Sequence, residues 1–258
     1  MADERFFPDG NIAGWFAPLN YATNPAQPTI AEATAATVIP LTRATSFTDT
    51  DFGADASNTN TDQSWADASA VTERGAAQFG GTWSFYYPEY YWEESSEYAA
   101  VFEALGEART EGYIITRVDG TFNGNAANTP LAAGQAVNIY KVMTTAYSPQ
   151  ITGETSFRQN ITFSARGAIY YNRILGTTNT PTIELAGPTT LTVGGHGLAR
   201  TIIGGRIMFG AANLTSSNSS VVSVTPNGVL TGVAAGTATI TASDPYTTAT
   251  GTLSVTVS

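Results

Sequence analysis

Carboxylates are the residues in this sequence best placed to do chemistry. Thirteen of them lie between Asp49 and Glu111, against two cations there, Arg74 and Arg109. A glycoside hydrolase would need two of these facing a sugar about 5–9 Å apart, and Glu89, Glu93, Glu94 and Glu97 are the candidates. Their spacing selects no pair. Glu93, Glu94, Glu97, Glu103 and Glu107 also read as a solvated acidic face, with Glu near a helix start favoured by the dipole there. Asp49-Thr-Asp51-Phe52-Gly53-Ala-Asp55 begins like a calcium loop. Gly53 replaces the third ligand, Ala54 the required glycine, and Asn60 stands where a bidentate Glu belongs, so an exposed acidic loop is the better reading.

Other chemistries meet a shortage of residues. The chain has no cysteine and one histidine, His196, which removes thiol nucleophiles, thiolate metal sites and most histidine-dependent mechanisms. His196 lies in Gly194-Gly-His-Gly197 with no Cys, Asp or Glu beside it. No Gly-Lys-Ser/Thr follows and Arg200 stands where a dinucleotide fingerprint needs its third glycine, so the segment reads as a hairpin turn with an exposed histidine. No cofactor and no metal is implied. The aromatic segment is a different matter. Trp83, Phe85, Tyr86, Tyr87, Tyr90, Tyr91 and Trp92 put seven rings into ten residues, more than one strand face can bury, so some should meet a sugar or another subunit. No sugar-orienting polar cluster accompanies them, which favours subunits.

Strands must carry most of these residues. Residues 161–166, 113–118 and 137–147 are rich in aromatic and β-branched side chains, with Val137, Ile139 and Met143 expected on one face. One amphipathic helix interrupts them: Tyr98, Val101, Phe102 and Leu105 recur at helical spacing behind Ser95 and Ser96, and Gly106 can stop it. Thr29-Ile-Ala-Glu32 is a capping box opening at most two helical turns before Pro40. Residues 49–64 are nearly all Asp, Asn, Thr, Ser and Ala, with Phe52 their only large apolar side chain, and are expected to form a long exposed loop. Near the C-terminus Ala238, Ile240 and Ala242 alternate with threonines, as do Leu253, Val255 and Val257 with Thr and Ser, each a half-buried strand. Pro226-Asn-Gly228 supplies the positive backbone angles of a tight turn between two further strands.

The whole chain bounds the answer further. Its 258 residues favour two domains at roughly 100–200 residues each. Net charge is −10, which argues against affinity for nucleic-acid phosphates or anionic lipid. Residues 182–258 hold two acidic and two basic side chains, leaving 19 of the 21 acidic and nine of the 11 basic ones in residues 1–181. Between these parts lies Gly176-Thr-Thr-Asn-Thr-Pro181, without an apolar anchor, which reads as a linker over 177–181. The acidic N-terminus resembles no secretory signal and no run of 18 apolar residues occurs, so synthesis in a cytoplasm and no membrane contact are expected.

The run from Leu214 to Ala242, through Ser-Val-Val-Ser-Val-Thr-Pro-Asn-Gly-Val-Leu-Thr-Gly-Val-Ala-Ala-Gly-Thr-Ala-Thr-Ile, closely resembles the group 2 bacterial immunoglobulin-like domain. Leu214 stands where that family commonly has a tryptophan. Residues 1–176 hold an N-terminal arm with Gly14-Trp-Phe-Ala-Pro18, a short helix near Thr29, a long polar loop, one helix between strands and a closing strand at 157–166. In this architecture they are similar to the major tail tube protein of long-tailed bacteriophages.

That resemblance implies a mainly β chain: a tail-tube-type β-sandwich or half-barrel with one flanking α-helix, a linker, and an Ig-like β-sandwich over 182–258. It further implies a structural protein of the virion, not an enzyme, made in the host cytoplasm. Its hexameric rings would stack into a tube and meet tape-measure, terminator and tail-tip proteins. DNA would be a transient passenger, and the Ig-like domain would decorate the outside, where it could touch host glycans weakly. Candidate subunit and ring contacts are Trp15, Phe16, Asp49, Asp51, Phe52, Asp55, Trp65, Trp83, Tyr86, Tyr90 and Trp92. A carbohydrate-binding surface or tail-tip adhesin remains the alternative.

Overall fold

The computed structural model describes residues 12–45, 51–54, 59–62, 71–74, 79–86, 97–107, 109–118, 129–145, 148–152, 156–208 and 212–258. The protein is mainly β, with a half-barrel sheet and few helices. Its contacts form two compact units: Met1–Tyr21, Ala35–Pro130 and Asn138–Tyr171 make unit 1, and Ala22–Thr34, Leu131–Val137 and Asn172–Ser258 make unit 2.

The elements of the first part run β1 (Ile12–Pro18), α1 (Ile30–Ala33), β2 (Ile39–Pro40), β3 (Asp51–Ala54), β4 (Thr59–Asp62), β5 (Val71–Arg74) and β6 (Phe79–Tyr86). There follow α2 (Glu97–Leu105), β7 (Glu111–Val118), β8 (Ala136–Thr144), β9 (Ser148–Thr152) and β10 (Ser156–Ile174). One sheet has the order β2-β1-β7-β8-β10-β6-β3, with β9 paired to β10. β1 and β7 pair antiparallel with Phe16 opposite Ile114 and Trp15 opposite Ile115. Phe16 and Ile114 enter the unit 1 core, where they meet Trp83, Phe85, Tyr140, Val142, Ile161 and Phe163.

Helix α2 closes that core with Val101 and Leu105, four residues apart, while Tyr98 is 38% exposed. The expected apolar stripe is therefore rotated: Tyr98 stands at its rim, where a tyrosine can keep its polar end in water. The helix ends at Gly106, whose N–H donates to the Phe102 carbonyl over 2.7 Å. A Cβ there would clash with that same oxygen.

The expectations for residues 49–64 and for the buried face of β8 need correction. Residues 49–64 do not form one long loop. β3 pairs antiparallel with β6, Asp51 opposite Thr82 through Ala54 opposite Phe79, and β4 pairs with β5. Ladder pairing uses backbone groups alone, so a polar segment beside an existing strand can join it without burying an apolar face. In β8, Val137 and Ile139 are buried, but burial then passes to Tyr140, Val142 and Thr144, and Met143 is only partly covered. The side changes because Tyr140 and Val142 join the unit 1 core.

The remaining strands are β11 (Ile183–Ala186), β12 (Thr190–Leu191), β13 (His196–Leu198), β14 (Arg200–Ile203), β15 (Arg206–Ile207), β16 (Asn213–Ser216), β17 (Val222–Val224), β18 (Val229–Gly232), β19 (Gly236–Ser243) and β20 (Thr250–Val257). They form the sheets β12-β20-β19-β16, β13-β18-β17 and β11-β14-β15. The alternation read at the C-terminus is observed: Ala238, Ile240, Ala242, Leu253, Val255 and Val257 are buried, in register across β19 and β20. Ala238, Ile240 and the three β20 residues pack with Leu191, Val222 and Leu230 in one core. Fully burying each large aliphatic side chain there contributes roughly 1.5–3 kcal/mol.

The turn between β17 and β18 closes through the Gly228 N–H on the Thr225 carbonyl, 2.9 Å. Gly228 alone in that turn takes a positive φ, +85°. Residues 176–181, expected to be unanchored, are fastened within unit 2. Ile30 N–H donates to the Gly176 carbonyl over 2.8 Å, and Asn179 Nδ2 donates to the Gln27 carbonyl over 3.0 Å. Polar side chains and backbone groups supply the anchors that apolar ones do not. Among the described residues no helix is long and apolar enough to cross a membrane.

Candidate functional site

The sequence nominated a set of assembly residues, and the structure separates them. Phe16 and Trp83 are 4% and 5% exposed, inside the core of their own unit. Trp83 lies parallel to Phe85 at 6.0 Å between ring centroids, edge-on to Phe163 at 6.1 Å, and donates its indole N–H to Thr45 Oγ1 over 2.7 Å. Strand period explains this: Trp83 and Phe85 point one way from β6, and Tyr86 points the other. Tyr86 and Trp15 are half-buried. Asp51 and Phe52 sit on β3, opposite Thr82 and Gly81. Asp49, Asp55, Trp65, Tyr90 and Trp92 lie outside the described residues, as do Glu89, Glu93, Glu94, Ser95 and Ser96.

The Trp15 ring covers a cation. Arg117, 0% exposed, has its guanidinium carbon 5.3 Å from that ring's centroid and donates from Nη1 to the Pro130 carbonyl over 3.0 Å. Glu103 and Glu107 are exposed along and just past α2. His196 is exposed on β13, its Nδ1 3.0 Å from Thr231 Oγ1. Among the described residues no three His, Cys, Asp or Glu side chains stand close enough to hold a metal. The segment resembling the start of a calcium loop contains a paired strand, β3.

Sequence reasoning missed the densest polar cluster, which lies in unit 2. Arg173, 3% exposed, makes a two-pronged ion pair with Asp244: Nη1 to Oδ1 2.8 Å and Nη2 to Oδ2 2.9 Å. Nη2 also donates to Gln27 Oε1 over 2.7 Å, and Nε to the Ala26 carbonyl over 2.8 Å. The guanidinium carbon lies 5.2 Å from the centroid of the Tyr246 ring. Burial would raise the Asp244 pKa, but Arg173, the Thr247 hydroxyl and the Tyr246 backbone N–H hold the carboxyl below its usual range.

Beside this pair, the capping box opens α1 as expected, with the Thr29 side chain accepting from Glu32 N–H and Glu32 accepting from Thr29 N–H. Burial pushes the Glu32 carboxyl up, yet hydrogen bonds from the Thr23 and Thr29 backbones and the Asn179 side chain outweigh it and bring its pKa down to about 2. The sequence held one hint of the ion pair, a charged residue among apolar ones in Arg173-Ile-Leu175.

These arrangements position buried charges and aromatic surfaces. No curated protein matches the sequence. Among solved structures, the chain is similar to the SPP1 tail tube determined by solid-state NMR and cryo-electron microscopy. The two share 11% identity at a TM-score of 0.40, over 65% of this chain and 80% of that one. A family model described as phage tail tube protein matches residues 1–178. That match takes in the whole nominated set and most of the chain, and the chain therefore belongs to the phage tail tube proteins, structural proteins of the virion rather than enzymes.

Proposed function

We infer that this protein is the subunit of hexameric rings that stack into the tail tube and form the channel for DNA delivery. The family match over residues 1–178 carries the reading. A tail tube protein assembles with itself and with other phage tail proteins; the tape-measure, terminator and tail-tip proteins are the partners proposed for it. Charge supports the passage of DNA. At −10 per subunit, a six-fold ring carries roughly 60 negative charges, which oppose binding of a polyanion by counterion release and let it slide.

Like charges also oppose stacking. Rings must then be held by large, largely apolar contacts, of roughly 2,000 Å² or more for an obligate interface. Trp15, Tyr86, Phe52, Trp65, Tyr90 and Trp92 are the proposed contributors, with Asp49, Asp51 and Asp55 in the polar segment that reaches a neighbouring ring. Phe16 and Trp83, buried in their own core, shape that surface from beneath. Residues 1–176 make the tail tube domain in this reading, 177–181 the connection, and 182–258 an Ig-like domain on the outside, free to touch host glycans.

Negative-stain electron microscopy of the purified chain tests the proposal. The expected images show tubes with an axial ring repeat and six-fold end views. A chain that stays single-copy at high concentration overturns it.

A further inference from the structure

We propose that the C-terminal sandwich is a docking platform for a segment of its own chain, Ala22–Thr34, with Arg173 as the fastener. On this assignment the residues beyond the family match are an obligatory half of unit 2. The inference does not depend on rings or tubes.

Three stretches distant in sequence converge on the Arg173 guanidinium. The end of β10 supplies the guanidinium itself; residues 26 and 27 supply the Ala26 carbonyl and the Gln27 side chain; the turn between β19 and β20 supplies Asp244 and the Tyr246 ring. Four donor contacts of 2.7–2.9 Å and an aromatic face account for this cation. Gln27, 1% exposed, returns to the strand by donating from Nε2 to the Ile174 carbonyl over 2.6 Å. Asp244 is held in turn by the Thr247 hydroxyl at 2.6 Å, and its own N–H closes the turn on the Ala249 carbonyl at 3.0 Å. Asn24 Nδ2 reaches the Tyr246 carbonyl at 3.4 Å.

The docked segment is also held by Ile30 N–H on the Gly176 carbonyl and by Asn179 on Gln27 and Glu32, but it cannot stand by itself. Its helix, α1, is four residues long, and a single turn of that length is unstable alone because nucleation costs more than one hydrogen bond returns. Beneath the cluster, Ile174 packs with Ile183, Ile203, Ala242 and Ala249. Residues 22–34 and Arg173 fall within the family match, whereas Asp244, Tyr246, Thr247, Ile203 and Ala242 fall beyond it. Sequence outside the match thus neutralises a charge and completes a core that sequence inside it begins.

Hydrogen exchange on the full chain tests this. In Asp244→Asn, which keeps side-chain shape, amides of residues 22–34 should exchange about a hundred-fold or more faster, since a buried guanidinium loses its counter-charge. Amides of 112–117 in β7 should stay at their native rates. Thr247→Val, which removes one donor to the carboxylate, should give the same pattern at smaller size. The double variant Arg173→Met with Asp244→Leu, apolar on both sides, should restore most protection. Unchanged exchange at 22–34 in Asp244→Asn, or equal acceleration there and in β7, overturns the proposal.

Discussion

Each unit buries one arginine among its described residues, and the two are housed differently. Arg117 in unit 1 and Arg173 in unit 2 are 0% and 3% exposed, with guanidinium carbons 5.3 and 5.2 Å from the centroids of the Trp15 and Tyr246 rings. Arg117 donates to a backbone carbonyl seen from a strand close in sequence; Arg173 grips a carboxylate 71 residues away. Both reach chain remote in sequence, Arg117 through the face of Trp15 and Arg173 through an ion pair and hydrogen bonds as well. Their cores differ too. Unit 1 relies on large rings, Phe16, Trp83, Phe85 and Phe163, while the unit 2 core around β19 and β20 is built from alanine, valine, leucine and isoleucine. A core of small, regular side chains specifies its strands locally, and the Arg173 cluster fixes which outside segment joins them.

Breaking each core tests that contrast most strongly. Trp83→Ala should cost about 3–5 kcal/mol through loss of its ring contacts and the cavity left behind. The readout is denaturant unfolding followed by near-ultraviolet dichroism, with unit 1 signals lost first. Asp244→Ala should cost a similar about 3–5 kcal/mol, because an uncompensated guanidinium stays buried. Here protection should fall in unit 2, which a midpoint shift together with limited proteolysis near residue 30 would register.

Gly228→Ala comes next, at about 1–3 kcal/mol. Its φ of +85° is strained for any side chain, and the new Cβ would clash with the Ala199 carbonyl. Thermal melting of the full chain checks it. Thr29→Ala, which deletes one half of the capping box, should cost about 1 kcal/mol and raise exchange only near α1.

Acid sharpens the comparison without mutation. Glu32 and Asp244 both have depressed folded pKa values, so the stability they contribute is complete above their ordinary range and is lost as pH falls. For Glu32 the window runs from 4.5 down to about 2. Unit 2 should loosen across that window, and Glu32→Gln should flatten its share of the pH dependence. A pH-independent melt from 5 to 2 would remove both carboxylates from the account.

Features set by neighbours in sequence were legible beforehand. The capping box at Thr29 and Glu32, the helix around Val101 and Leu105 and the paired alternation of β19 and β20 all came from patterns within about ten residues. Features set by distant partners were not. β3 and β4 form in a stretch with almost no apolar side chains because a partner backbone is present. Trp83 looked like an interface residue by ring density, and β6 turned it inward beside Phe85. Residues 176–181 looked unanchored because the groups that fasten them, on Ile30 and Gln27, lie about 150 residues upstream.

By itself the sequence determined the β character, the excess of acid, the scarcity of catalytic groups and the likeness to tail tube proteins, since composition and short-range periodicity are properties of the chain before it folds. Only the tertiary structure decided which aromatic rings are spent inside the subunit and which carboxylate neutralises Arg173. Those outcomes depend on which backbones meet, and a buried charge accepts whichever partner the fold delivers within 3 Å.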